Sequence, residues 1–265
     1  MIAAGSLRYL TVDVEEGIAT VTLANPQRRN ALSLETMREM LAVFDSLGAD
    51  RSVKVVVLEA LGPAFSAGHD LRELRCAGDE DDVARLREIF ECCVAVMTKI
   101  QTIGQPVIAQ IAGIATAAGC QLVATCDLAV ASSAATFATP GVKIGLFCTT
   151  PMVALTRSIG RKRAMEMLLT GDFIDAATAE RWGLVNRVVA PEELGPQTRA
   201  LARKIAASSA FTVGLGKAAF YSQIELDQAE AYAYAKEVMS RNALDADARE
   251  GIGAFLERRT PAWKR

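Results

Sequence analysis

Strand-like and helix-like segments alternate along this chain as far as Pro191, and beyond it the pattern is almost wholly helical. Few folds accommodate that order. Leu7 to Val14 and Ile18 to Ala24 are β-rich runs parted by Glu15-Glu16-Gly17, which reads as a hairpin. Asn25-Pro26 ends the second run, since proline cannot donate to a strand ladder. Ser33 is a good N-cap for a helix that carries Leu34, Met37, Leu41 and Phe44 and runs until Gly48. Val53 to Leu58 is continuously apolar, the pattern of a strand buried on both faces. After a loop with Gly62, Pro63 and Gly68, Glu80 to Ile103 places Val83, Leu86, Phe90, Val94 and Met97 on the apolar face of an amphipathic helix. Pro106 opens a second buried strand, Val107 to Ile111. The Gly- and Ala-rich stretch Gly113 to Gly119 leads into a short apolar helix through Thr125, and strand Leu128 to Ala131 follows. The helical part comprises Leu194 to Ala207, Thr212 to Ile224, Asp227 to Ala243 and a closing segment, Gly251 to Phe255. The alternation argues an α/β fold. We expect residues 1–195 to form the core and residues 196–265 a helical C-terminal region. There is no sequence-level repeat.

With 265 residues, 51% of them hydrophobic and 23% charged, the chain can bury a sizeable core and belongs with globular proteins. A formal net charge of −2 gives no support to nucleic-acid binding through a basic surface. Cys76, Cys92, Cys93, Cys120, Cys126 and Cys148 sit in apolar stretches without paired zinc-ligand spacing, so they read as small buried residues of a reducing compartment. Met1 to Leu10 lacks a charged region followed by a long apolar one, so no secretory signal is expected there. No apolar run reaches the roughly 18 residues a membrane span needs, so no membrane partner is expected. The expected location is the cytoplasm.

The segments that carry chemistry are Asn25-Pro26-Gln27-Arg28-Arg29-Asn30-Ala31-Leu32, Phe65-Ser66-Ala67-Gly68-His69-Asp70-Leu71 and Pro106-Val107-Ile108-Ala109 with Gly113. Ala117-Ala118-Gly119-Cys120-Gln121-Leu122, Cys126-Asp127, Ala138-Thr139-Pro140-Gly141-Val142 and Trp182-Gly183-Leu184-Val185-Asn186 complete the series. In order and spacing they resemble the crotonase (enoyl-CoA hydratase/isomerase) superfamily over most of the chain. Within it, Ser66 to Leu71 together with Ala117 to Leu122 and Phe137 to Gly141 is similar to the subgroup called enoyl-CoA hydratase domain-containing protein 3.

The resemblance implies a spiral of ββα units with a helical C-terminal region that serves oligomerisation, assembled as a homotrimer or a dimer of trimers. It implies a coenzyme A thioester as substrate or ligand, no permanently bound cofactor and no metal, in fatty-acid or acyl-CoA metabolism. It also implies an oxyanion hole whose donors would be the backbone amides of His69 and Ala118. The residues agree. Gly68 allows a tight turn, and Ala118 opens a helix whose first amides lack intrahelical partners. Such donors are commonly worth ~3–4 kcal/mol each in the transition state.

Hydratases of the family carry glutamates at the positions of Gln121 and Gly141. Gln121 can orient a water or a substrate oxygen but cannot abstract a proton. Gly141 either enlarges the pocket or serves as a turn residue after Pro140. Restoring both carboxylates should raise hydratase activity if the backbone keeps the family geometry, the hazard at Gly141 being a positive φ. His69 is the only histidine and titrates nearest neutrality; its backbone role outranks a proton-carrying one. Asp70 reads as a loop cap. Arg28 and Arg29, before a helix, suit the coenzyme A phosphates, and Lys217 would do likewise from a neighbouring subunit. Ala31, Ala67 and Leu71 complete the implied binding positions. Cys126 and Asp127 read as core packing, whereas Phe147, Cys148, Thr149 and Thr150 either line the acyl pocket or begin a helix. Two functions compete: an enolate-stabilising acyl-CoA enzyme running hydration, isomerisation, hydrolysis or decarboxylation, and a non-catalytic acyl-CoA-binding protein. RNA binding would want a lysine-rich face after Ser33, where Glu35, Arg38, Glu39 and Asp45 stand instead.

Overall fold

The computed structural model describes residues 7–78 and 80–264. Residues 1–6, part of the Met1 to Leu10 stretch in which no signal is expected, lie outside them, as do Asp79 and Arg265. Strands β1 (Leu10–Glu15) and β2 (Ile18–Leu23) pair antiparallel, with Glu15 opposite Ile18. The two residues between them, Glu16 and Gly17, have φ of 53° and 77°. Two positive φ values in a two-residue turn match the right-handed twist of the strands, which is why glycine stands there. Helix α1 (Leu34–Ala49) starts where Ser33 Oγ accepts the Thr36 amide at 3.2 Å, and buries Met37, Met40, Val43, Phe44 and Leu47.

From there one unit recurs three times. A strand of a large sheet leads to a short strand of a second sheet and then to a helix. The first unit is β3 (Val55–Ala60), β4 (Ala64–Ser66) and α2 (Glu80–Thr102). The second is β5 (Val107–Ile111), β6 (Ile114–Thr116) and α3 (Ala118–Thr125). The third is β7 (Leu128–Ser132), β8 (Thr136–Ala138) and α4 (Thr149–Ser158). This is the spiral of ββα units that the resemblance implies. Helix α5 (Arg161–Thr170), strand β9 (Ile174–Asp175), helix α6 (Ala176–Trp182) and strand β10 (Arg187–Val189) follow. The sheets have the orders β1-β2-β3-β5-β7-β10 and β4-β6-β8-β9. From β2 to β10 the large sheet is parallel, as crossovers through the second sheet and a helix require.

Helix α2 departs from expectation in which face it buries. Ile89, Cys93, Val96, Met97, Ile100 and Ile103 are buried, whereas Val83 and Val94 are 57% and 49% exposed. The helix carries apolar residues on two adjoining faces, and periodicity alone does not say which one α1 and α3 cover.

The C-terminal helices are α7 (Leu194–Ala206), α8 (Ala210–Gln223), α9 (Gln228–Ala243) and α10 (Ala246–Leu256). Leu194 and Ala202 of α7 pack with Ile18, Val55, Val57, Ile108 and Val130 on the large sheet. A division at residue 195 therefore falls inside a helix that seals the core. Helix α9 has no buried residue, and Tyr232, Met239, Leu244, Phe255 and Leu256 stand at least 71% exposed along this end of the molecule. Among the described residues no helix is long and apolar enough to cross a membrane.

Candidate active site

Three short strands set the site. β4, β6 and β8 lie side by side and parallel, with Ser66 opposite Ala115 and Thr116 opposite Ala138. Their C-terminal ends therefore deliver Ala67-Gly68-His69, Ala117-Ala118 and Thr139-Pro140-Gly141 to one place. The loop after β4 is fixed from below. Asn30, 1% exposed, donates from Nδ2 to the carbonyls of Leu61 (2.8 Å) and Ala64 (2.7 Å) and accepts the Asn25 amide at 2.9 Å. Ser66 Oγ donates to the Asn30 carbonyl at 2.8 Å and accepts the Gly68 amide at 3.1 Å. Leu32 N–H donates to the Gly68 carbonyl and Ala67 N–H to that of Arg29.

Gly68 has φ +85°, and a β-carbon there would come within 3.0 Å of the Ala118 nitrogen. The two loops thus meet through a glycine that only glycine can supply. The Ala118 amide is the first of α3 and has no intrahelical acceptor. The residue before it, Ala117, is held at φ 51°, ψ −119°, backbone that normally belongs to glycine and costs about 1–3 kcal/mol. The Ala117 amide donates to the Ala138 carbonyl at 2.9 Å, which over-determines that conformation.

These ends open onto a cavity of about 350 Å³ lined by Ala67, His69, Leu71, Ala118, Gly141, Phe147, Cys148, Thr149 and Thr150. Phe147 to Thr150 both line the pocket and lead into a helix, since Cys148 stands at the N-cap position of α4 and Thr149 begins it. Leu74, Phe90, Lys143, Ile144, Leu146 and Pro151 also line the cavity, and sequence reasoning missed them. The signal available was position: Lys143, Ile144 and Leu146 follow Pro140-Gly141 closely, and Pro151 follows Thr150. Phe90, which periodicity puts on the apolar face of α2, meets the His69 ring edge-on, centroids 5.4 Å apart. Among the described residues no carboxylate lines the cavity.

Both His69 ring nitrogens are buried without a hydrogen-bond partner. Burial lowers the pKa of the ring below the ordinary 6.5, with the Leu32 backbone opposing. The ring is therefore neutral near pH 7. Because it is the only histidine, its proton NMR titration should show one midpoint, below 6.5. A charge disfavoured in the folded state means that stability from this group is complete above pH 6.5 and falls as pH drops below it. A midpoint at or above 6.5 would show a ring open to water.

The positions of the absent glutamates differ from expectation. Gln121 is 4% exposed and does not line the cavity; its Oε1 lies 3.9 Å from Cys93 Sγ, a thiol donor on α2. Gly141 has no positive φ, so the hazard foreseen there does not apply. The obstacle is space. A β-carbon on Gly141 would lie 2.0 Å from the Leu146 carbonyl oxygen and 2.8 Å from Cys148 Sγ. The Leu146 amide donates back to the Gly141 carbonyl at 2.9 Å, which draws the two backbones together.

The other expected ligand residues divide. Arg28, Ala31 and Asp70 line a separate polar cleft of about 280 Å³ with Arg8 and Arg72. Asp70 accepts the Arg72 amide at 3.1 Å and its Nε at 2.9 Å, the loop-capping role expected of it. Arg29 is exposed, has φ 52° and does not line the cleft. Lys217 is contrary to expectation. Its Nζ is buried and donates to the carbonyls of Ile100 (2.7 Å) and Gln105 (2.9 Å) and pairs with Asp127 at 2.7 Å. All three of its protons are used, so it ties α8 to the core and has none left for a phosphate. Asp127 is the packing residue it was read as, accepting the Val107 amide at 2.7 Å and the Tyr221 hydroxyl at 2.9 Å. Of the six free cysteines, Cys93, Cys120, Cys126 and Cys148 are buried, but Cys76 is exposed. Among the described residues no cluster of three or more metal-ligating side chains occurs.

A family model described as enoyl-CoA hydratase/isomerase matches residues 13–265. The chain is 46% identical over 256 residues to enoyl-CoA hydratase domain-containing protein 3, mitochondrial, of Mus musculus, spanning 97% of this chain and 84% of that protein. A crystal structure of an enoyl-CoA hydratase from Mycobacterium smegmatis superposes with a TM-score of 0.93 at 49% identity, covering 98% of this chain and 100% of that one. The crystal structure of human enoyl-CoA hydratase domain-containing protein 3 gives a TM-score of 0.93 at 45% identity, with coverage of 97% and 100%. The mouse, rat and human relatives are all named mitochondrial, which overturns the expectation of a cytoplasmic protein; that expectation is a default from the lack of a secretory signal and a membrane span, neither of which speaks to mitochondria. On the match over residues 13–265 and these relatives, the chain belongs to the enoyl-CoA hydratase/isomerase family.

Proposed function

We propose that this protein binds an acyl-CoA thioester with its carbonyl oxygen between the amides of His69 and Ala118, and that it stabilises the enolate of that thioester without acting as an ordinary hydratase. The observation that carries this reading is the cavity into which β4, β6 and β8 deliver His69, Ala118 and Gly141, apolar along its walls and without a carboxylate. Backbone donors aimed at a developing oxyanion need no side chain, so they survive the loss of both glutamates. In the polar cleft Arg8 and Arg72 are paired with Glu35 and Asp70, which leaves Arg28 as the cation offered to the phosphates of the nucleotide end. No permanently bound cofactor enters this scheme; the thioester is the ligand. The exposed apolar residues of α9 and α10 support a surface that other copies of the chain cover, as in the homotrimer or dimer of trimers that the resemblance implies.

Calorimetry with saturated and unsaturated acyl-CoA of several chain lengths should show binding. No detectable binding at millimolar ligand would end the proposal. Catalysis is tested separately, by exchange of the α-protons of butanoyl-CoA with deuterated solvent. The competing reading, a binding protein with no catalysis, is favoured by Gln121 facing Cys93 and by the lack of room at Gly141. Binding without exchange would select it.

A further inference from the structure

The wall of the cavity beside Gly141 is a thiol. A β-carbon on Gly141 would fall 2.8 Å from Cys148 Sγ, so the sulfur fills the volume in which a side chain at position 141 would begin. Of the six cysteines only Cys148 lines the cavity. β6 and β8 are adjacent and parallel, and neighbouring strands stand about 4.8 Å apart. A thioester carbonyl held at the Ala118 amide, at the end of β6, would therefore lie in the same cavity as the wall formed by Gly141, just past β8, and Cys148, at the start of α4.

We propose that the Cys148 thiol adds to the β-carbon of a bound α,β-unsaturated acyl-CoA, an inference that rests on the acyl-thioester reading of the cavity. The sulfur–C3 bond forms as the C2–C3 π bond breaks. Its electron pair moves to the thioester oxygen, where the amides of residues 69 and 118 hold it, and the proton leaving sulfur ends on C2. The product is a thioether in which the whole acyl-CoA is attached to the protein; no oxidant, reductant or third reactant takes part. Cysteine is the side chain best suited to this step, being intrinsically nucleophilic even when mostly protonated. Burial raises the thiol pKa, and the adjacent Gly141 backbone works against that rise. Adduct formation is accordingly slow, and the residue serves to trap enoyl thioesters rather than to turn them over.

Incubation of the protein with crotonyl-CoA, quenched in acid and read by intact-protein and peptide mass spectrometry, tests this. The expected result is a mass increase equal to intact crotonyl-CoA, mapped to Cys148. It should be lost in Cys148→Ser, retained in Cys76→Ser and absent with saturated butanoyl-CoA. A crotonyl group alone on Cys148, with free coenzyme A released, would mean attack at the carbonyl and overturn conjugate addition. No adduct on protein that calorimetry shows to be saturated with crotonyl-CoA would also overturn it, leaving the binding reading intact. Failure of crotonyl-CoA to bind at all would remove both.

Discussion

Replacing Gln121 and Gly141 together by glutamate is expected to yield little folded protein and no gain in crotonyl-CoA hydration. The parent protein should itself hydrate crotonyl-CoA very slowly, because each missing acid/base group contributes about 10²–10⁴-fold in rate. Two carboxylates acting on one water form a unit, so their losses do not simply multiply. Restoration fails for a local reason. At 2.0 Å from the Leu146 carbonyl, the first atom of any side chain at position 141 overlaps backbone, which cannot turn aside as a flexible side chain would. The loop from Gly141 to Leu146 would have to open, breaking the Leu146-to-Gly141 hydrogen bond. Gly141→Ala should suffice to show it, as loss of thermal stability and of acyl-CoA affinity. Gln121→Glu alone should fold poorly too, since a carboxylate at a position 4% exposed, beside the Cys93 thiol and not lining the cavity, is costly to desolvate. A double variant that folds and hydrates crotonyl-CoA faster than its parent would show that the loop opens at little cost.

How far the sequence reached follows the physics of each signal. The caps, the hairpin and the buried strands are local, written in residues such as Ser33, Glu16-Gly17 and the run from Val55 to Leu58, and they appear where expected. Gathering His69, Ala118 and Gly141 is not local. It depends on three strands of three residues each pairing in parallel, too short to carry a pattern of their own, so only the resemblance pointed to it. The threefold ββα repeat is equally invisible in sequence, because β3, β5 and β7 share burial rather than residues. Two failures have one cause. The buried face of α2 and the position of Lys217 are set by what packs against a helix from elsewhere in the chain. An apolar stripe or a lysine in a C-terminal helix says nothing about its partner.

Lys217→Met is expected to destabilise the protein by roughly 3–5 kcal/mol, the usual consequence of stranding one partner of a buried ion pair. Methionine replaces the stem but leaves the Asp127 carboxylate, 14% exposed, without its cation, and leaves the carbonyls of Ile100 and Gln105 without donors. Those carbonyls terminate α2 and precede β5, so the lysine joins three elements that the chain separates widely. Domains are typically stable by only about 5–15 kcal/mol, so the loss is a large share of the whole. Urea unfolding measures it. Pairing the change with Asp127→Asn should recover part of the loss, because the stranded charge disappears while the amide oxygen accepts from the Val107 amide and the amide nitrogen donates to the Tyr221 hydroxyl oxygen in place of the bond it gave to aspartate. Calorimetry at a temperature where the variant remains folded separates this role from phosphate binding. A strut leaves acyl-CoA affinity unchanged, whereas a phosphate ligand lost from a neighbouring subunit would weaken it and leave unfolding nearly untouched. That second pattern would show that Lys217 leaves its buried partners when the protein assembles.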